Sequence, residues 1–321
     1  MCDKLIYHNY CKQMLNTIRP NGVFDFKLIS RIDWQNLVFC SRDIYSEEKI
    51  AIKIFLNTFS ARERYLRDIY FSELLSKEMK LFKSVEILYH EVFSSGKVEG
   101  VFVQQWIPGI TWMSKMQMDF ECFVKNDLGK LKKIFQELWE LSIDIENDKE
   151  PNRVLFEIDT NHPSSLKYKL GLSEELAFRC LYNRLPLLSD KVSQLQFFYR
   201  NYRNKTADKC MVNGDPSAHE LIIYDGFVKW IDWEYVLYGY PMMDIAYMFY
   251  SLAHNYYNDE NKLKRLEERY FEVFDIYKNP MFIFYFIEKI VMVENATSCK
   301  NDIEILFWSI NYAHELINET R

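Results

Sequence analysis

The chain has 321 residues, of which 49% are hydrophobic and 17% aromatic, with 24 Phe and 22 Tyr against only 9 Gly. That composition supplies a sizeable core and excludes a low-complexity or disordered chain. A formal net charge of −6 argues against a broad basic face for nucleic acid. The 7 cysteines are odd in number and scattered, with no CxxC pair, which argues against a zinc site or a disulfide framework and fits a reducing cytoplasm. The opening MCDKLIYHNYCKQ carries early charges and no long apolar core, so it does not read as a secretory signal.

Taken in order, residues 1–17 are weakly helical and Pro20-Asn21-Gly22 is a turn. Strands are expected at 26–32, 37–41 and 50–55, with a polar turn at Ser46-Glu47-Glu48. Lys53 sits in an apolar strand, Ala51-Ile52-Lys53-Ile54, where a lysine by itself would ordinarily protect a sheet edge. Residues 62–81 read as a helix with Leu66, Ile69, Tyr70, Leu74 and Met79 as its apolar positions and Glu63, Asp68 and Glu73 along it. Residues 101–109 form a strand ending in Pro108-Gly109.

An amphipathic helix over 128–145 presents Leu131, Ile134, Phe135, Leu138, Leu141 and Ile145. A charged connection follows over 147–165, in which His162 reads as an exposed loop residue. Helices are expected at 173–182 and 189–201, then a basic spacer over 200–209. Beyond Asp244 the pattern gives a buried helix at 245–257, a solvated charged face at 262–269, and helices at 282–293 and 303–317. The apolar run 281–293 is broken by Glu288 and Lys289, too short and too charged to span a bilayer. His254 and His314 lie in helices and read as satisfied partners rather than ligands.

The most informative stretch is MVNGDPSAHELIIYDGFVKWIDWEYVLYGYPMMDIAYM, residues 211–248. Asp225-Gly226 is a two-residue hairpin signal, because both positions of that turn want positive φ. A hairpin brings its ends together, so Asp215 before it and Asp232 after it are expected to converge. Convergent carboxylates suit a catalytic base and a magnesium ligand.

Asn213-Gly214-Asp215-Pro216-Ser217-Ala218-His219-Glu220-Leu221 resembles the HGDLSPHNIL loop of the aminoglycoside phosphotransferase and choline kinase family. Ile231-Asp232-Trp233-Glu234-Tyr235 is similar to its IDWE metal-binding segment, in the choline-kinase-like form, and Tyr240-Pro241-Met242-Met243-Asp244-Ile245-Ala246 to its DPxxDLA element. The resemblance implies an α+β, bilobal, protein-kinase-like fold: a small antiparallel-sheet N-lobe over 1–105 and a larger, mostly helical C-lobe over 106–321. It implies Asp215 as the catalytic residue, Asp232 and Glu220 as metal ligands, and Asn213 and Asp244 as structural support. Ala51-Ile52-Lys53-Ile54 looks like the VAIK strand, whose lysine pairs with nucleotide phosphates. Asp68 best fits the acid that holds this lysine, with Glu73 and then Glu63 as alternatives. Val101 to Gly109 looks like the adenine-binding hinge, which puts Gln104, Gln105 and Trp106 at the nucleotide.

This chain departs from that pattern at Tyr240, which replaces the first Asp of DPxxDLA, at Leu141-Ser142 in place of an LH pair, and at three places closer to the chemistry. Asn213 replaces a histidine, Glu220 replaces a metal-binding asparagine, and the phosphate-loop stretch Ser30 to Phe39 has no glycine, although Gln35-Asn36-Leu37-Val38-Phe39 echoes the family's SNxVY. The resemblance implies ATP or GTP with Mg2+, and a small-molecule acceptor: choline-like or ethanolamine-like, an aminoglycoside or a sugar. The aromatic content and the IDWEY segment lean toward the choline-like acceptor, since aromatic faces attract quaternary ammonium. The departures support a second reading, a nucleotide-binding pseudokinase with a regulatory or scaffold role. A protein kinase is disfavoured by the lack of HRD, DFG and APE segments.

Overall fold

The computed structural model describes residues 2–20, 22–29, 36–58, 61–93, 97–141, 173–202, 208–296 and 303–320. The chain divides into two compact units. The first takes Met1–Gly109 and Ile222–Glu234, the second Ile110–Leu221 and Tyr235–Arg321. The chain thus leaves the second unit after Leu221, adds a hairpin to the first, and returns at Tyr235.

The first unit begins with helix α1 (Cys2–Ile18) and strands β1 (Phe24–Leu28), β2 (Asn36–Asp43) and β3 (Lys49–Leu56). Helix α2 (Ala61–Glu78) follows, then β4 (Phe82–Lys83), β5 (Ile87–Val92) and β6 (Val98–Gln105). Five strands make an antiparallel sheet in the order β1-β2-β3-β6-β5. Side chains alternate across a strand. Ile50, Ile52 and Ile54 of β3 therefore share one face, where they pack with Cys11, Met14 and Leu15 of α1 and with Leu37, Phe39, Val101 and Val103. Phe55 takes the opposite face, with Phe102 of β6 and with Tyr65 and Ile69 of α2. Lys53 has the parity of Phe55, so it points to the α2 side of a central strand. It protects no edge.

Helix α2 departs from the apolar pattern expected of it. Leu66, Tyr70 and Leu74 are only half-buried, while Arg64, Arg67 and Asp68 are buried among Tyr65, Ile69, Phe71 and Leu75. The face it turns inward is a charged one. The hairpin that the first unit receives is β9 (Leu221–Tyr224) and β10 (Phe227–Trp230), with β10 parallel to β4. Its turn is left-handed at both positions, Asp225 at φ 51° and Gly226 at φ 77°, as a type I′ turn requires.

The second unit is mainly helical. It contains β7 (Ile110–Thr111), α3 (Trp112–Met118), a short π-helix (Phe123–Asp127) and α4 (Leu128–Trp139). Then come α5 (Glu174–Arg184), α6 (Ser189–Tyr202), β8 (Cys210–Val212) and β11 (Leu237–Gly239). The chain ends in α7 (Pro241–Ala253), α8 (Glu260–Phe274), α9 (Pro280–Ala296) and α10 (Ile303–Glu319). Helix α9 is central, touching α5, α6, α7 and α10. Phe249 shows where the aromatic content goes: the rings of Tyr270, Phe271, Phe282, Phe286 and Tyr312 lie between 5.1 and 6.1 Å from it. Among the described residues no helix is long and apolar enough to cross a membrane. The stretch 142–172, with the end of the helix expected at 128–145, the connection over 147–165 and His162, lies outside the described residues.

Packing of α2 on the sheet depends on Gly100 of β6, where an added Cβ would meet the Tyr65 ring at 2.6 Å. Gly100→Ala should therefore lower stability by about 1–3 kcal/mol through overpacking. Urea unfolding of Gly100→Ala, Tyr65→Leu and the double variant checks this. The double variant is expected to lose clearly less than the sum of the single losses.

Candidate functional site

In the first unit, one buried charge cluster joins the strand, the helix and the hairpin end. Lys53 Nζ lies 2.6 Å from Asp68 Oδ2 and 2.8 Å from Asp232 Oδ1, with Glu234 Oε2 at 3.8 Å. Of the three acids considered for Lys53, Asp68 is the one it meets; Glu63 is half-buried and Glu73 exposed. Asp68 also accepts the Trp233 backbone N–H at 3.1 Å, which ties α2 to the segment carrying Asp232. Trp233 is fully buried, stacked on Phe82, and donates its indole N–H to Ser84 at 2.9 Å. Asp232 itself is held in the left-handed region at φ 70°, a conformation Asp tolerates better than most residues.

Burial alone would lower the Lys53 ammonium, but Asp232, Asp68 and Glu234 together hold it well above the ordinary lysine range. Lys53 is therefore charged. The cluster carries Asp68, Asp232 and Glu234 against Lys53 and Arg64, and Asp232 is its accessible rim, 35% exposed where Asp68 is 2%. That oxygen-rich rim has the chemistry a hard divalent cation needs. Among the described residues no three acidic, His or Cys side chains form a closed metal cage. Magnesium asks for none, since it is commonly held by one or two carboxylates with substrate phosphates.

Glu234 is a member the sequence reading left without a role. It is buried, accepts from Asn36 Nδ2 at 2.6 Å and from Arg64 Nη1 at 3.2 Å, and Arg64 in turn reaches Asn36 Oδ1 and Thr58 Oγ1. The start of β2 is thereby fastened to the hairpin end. Of the glycine-free phosphate-loop stretch Ser30 to Phe39, residues 36–39 lie in β2 and residues 30–35 lie outside the described residues.

In the second unit, the loop after β8 carries Asp215. Strand β8 pairs antiparallel with β11, Val212 opposite Leu237. Buried Asp244, in the first turn of α7, receives the backbone N–H of Asn213 at 3.0 Å and of Gly214 at 2.9 Å, and the Trp139 indole N–H at 3.2 Å. Asp244 is thus the anchor of this loop. Gly214 has φ 80°, and a Cβ there would lie 2.3 Å from the Tyr235 carbonyl oxygen, so both conformation and space call for glycine. The Asn213 side chain accepts the Asp215 backbone N–H at 3.1 Å, an Asx turn that presents the aspartate.

Asp215 is bonded to Lys289 of α9, a residue absent from the motif reading. Glu220 turns back on its own loop, accepting the Ser217 backbone N–H at 3.2 Å. Ser251 of α7 bonds Ser217 Oγ and the Ala218 N–H, both at 3.1 Å. Gln104 and Gln105, expected at the nucleotide, are the last residues of β6, opposite Ala51 and Ile50. The Gln105 N–H is already given to the Glu86 carbonyl at 3.1 Å, and Trp106 follows the strand, half-buried.

No family model matches the chain, and no curated protein matches it. Solved structures do. Ethanolamine kinase of Plasmodium vivax is 16% identical with a TM-score of 0.57, over 96% of this chain and 88% of that one. Spectinomycin phosphotransferase, in complex with ADP and spectinomycin, is 12% identical with a TM-score of 0.59, over 96% and 98%. Choline kinase of Cryptosporidium parvum is 13% identical with a TM-score of 0.58, over 96% of each chain. The fold is therefore that of the protein-kinase-like small-molecule phosphotransferases, as the motif resemblance implied.

Removing the cation from the buried cluster should be costly whatever the activity. Lys53→Met is expected to lose about 3 kcal/mol or more in urea unfolding, since it strands buried carboxylates. Adding Asp68→Asn to Lys53→Met should restore part of that loss.

Proposed function

We propose that this chain is a nucleotide-dependent phosphotransferase, using ATP or GTP with Mg2+, that moves the γ-phosphate to a hydroxyl of a small molecule. The acceptor class expected from the motifs is choline-like or ethanolamine-like, an aminoglycoside or a sugar. The observation that carries the reading is the Lys53–Asp68–Asp232 cluster: a charged lysine fixed on a central strand, with an accessible acid beside it. Such a cluster would be an expensive way to fill a core. It is a sensible way to receive phosphates and a cation. The ADP found with the spectinomycin phosphotransferase is consistent with a nucleotide here.

In this reading Lys53 meets the α- and β-phosphates. Asp232 and Glu220 would hold the metal, which would offset the negative charge of the phosphates. Asp215 orients the acceptor hydroxyl and receives its proton. Asp244, Asn213 and Gly214 set the position of Asp215. Nucleotide-base contacts fall to the segment Gln104, Gln105 and Trp106, with the Gln105 N–H already committed to Glu86. Catalysis is then positioning and electrostatics, with little covalent chemistry asked of the protein.

A nucleotide-binding pseudokinase is the second reading. It is favoured by the Glu220 carboxylate, which is already engaged at the Ser217 N–H. Asp215→Ala distinguishes the two. It should lose at least about 100-fold in turnover while nucleotide affinity stays within a few-fold. Steady-state kinetics with equilibrium nucleotide titration measures both. Undiminished turnover in Asp215→Ala would remove Asp215 from its assigned role.

A further inference from the structure

Helix α9 carries three charges, Glu288, Lys289 and Glu294, and all are spent inside the second unit, Glu294 on Arg184 of α5 at 2.6 Å. The Glu288 carboxylate, fully buried, accepts the Tyr247 hydroxyl at 2.7 Å and the Tyr199 hydroxyl at 2.9 Å. The Lys289 ammonium lies 5.1 Å from the centroid of the Tyr247 ring and is bonded to Asp215 Oδ1. Its side chain is only 14% exposed. A chain of contacts therefore runs from Glu288 through Tyr247 to Lys289 and Asp215. A lysine so enclosed is held in one place, and that place is beside the carboxylate assigned to the acceptor hydroxyl.

The Asp215 carboxylate and the Lys289 ammonium offset each other as an ion pair, so the pair presents no net charge to an acceptor. His254 is half-buried near Lys289, and desolvation holds its imidazole below the ordinary range. Glu288 is enclosed beneath Tyr247, and Glu220 turns toward the Ser217 N–H. The ring face of Tyr247, which could otherwise have drawn a quaternary ammonium, is already covered by the lysine. The many other aromatics of this unit are packed against one another around Phe249.

The geometry points to Lys289 as an acceptor-selecting residue, so that the acceptor is an alcohol bearing no positive charge beside its reactive hydroxyl: a neutral polyol or sugar, or a hydroxy acid. This rests on the phosphotransferase reading above and narrows it. A hydroxyl placed within hydrogen-bond reach of Asp215 can donate to the carboxylate and accept from the ammonium at once. A choline-like or ethanolamine-like molecule in the same pose brings its cationic nitrogen, two carbons from the hydroxyl, against the Lys289 ammonium in a partly desolvated site. The ammonium there cancels the attraction of the Asp215 carboxylate, so a cationic acceptor gains nothing from that carboxylate. The same holds for an aminoglycoside whose reactive hydroxyl is flanked by ammonium groups.

The test needs no turnover. Choline is titrated calorimetrically into the unmodified protein, into Lys289→Ala and into Lys289→Gln, which keeps a hydrogen-bond donor at Asp215 and guards against a misfolded alanine variant. Thermal melting confirms folding of each, with Lys289→Arg as the charge-conserving control. Removing the ammonium exposes the Asp215 carboxylate to a cation, so at least one folded neutral variant should bind choline tenfold or more tightly than the unmodified protein and Lys289→Arg. Equal affinities, or no detectable choline binding to any of them, overturn the inference. So does efficient turnover of choline or ethanolamine by the unmodified protein. Failure of the phosphotransferase reading looks different: no nucleotide consumption with any acceptor, whatever the choline titrations give.

Discussion

Burying charge is tolerable only when each ion is paired, and that constraint governs the first unit. Lys53 cannot sit on the inner side of a central strand unless carboxylates meet it. Asp68 supplies one from α2, Asp232 and Glu234 supply theirs from the hairpin end, and Arg64 returns the balance. The same contacts that make burial bearable also fix geometry. The Trp233 N–H on Asp68 and the Glu234 bonds to Asn36 and Arg64 leave the Asp232 carboxylate little freedom. Preorganised charge of this kind is what phosphoryl transfer uses in place of covalent catalysis.

The second unit solves a smaller problem with the same means. A tight loop exposes backbone N–H groups that a buried setting would leave unsatisfied. Asp244 takes two of them and the Asn213 side chain takes a third. The replacement of the family's histidine by Asn213 thus has a local use: a short amide reaches the Asp215 N–H. Glu220 in place of asparagine likewise finds a bond within the loop, at Ser217. These bonds hold the loop's shape, and shape is what the position of Asp215 depends on.

Much of this was legible in the residues and some of it was not. The apolar run Ala51-Ile52-Lys53-Ile54 and the Asp225-Gly226 turn mark a strand and the hairpin, because strand composition and turn chemistry are local properties. Helix α2 was harder. Its buried face holds Arg64, Arg67 and Asp68, and a hydrophobic pattern searches for the opposite. Asp68 was reached through the motif, whereas Glu234, one residue past Trp233, was passed over because its partners Asn36 and Arg64 are far away in sequence. Lys289 was seen as an interruption of an apolar run. Nothing local says that the interruption faces Asp215; only the packing of α9 does.

Phosphoryl transfer by these clusters, as proposed above, would consume nucleotide only when an acceptor is present. The most direct measurement is magnesium-dependent consumption of ATP and GTP by the purified chain against choline, ethanolamine, aminoglycosides, sugars and hydroxy acids. The account predicts consumption that requires both magnesium and one class of acceptor. Nucleotide binding without consumption under any acceptor would contradict it and leave a binding module in place of an enzyme.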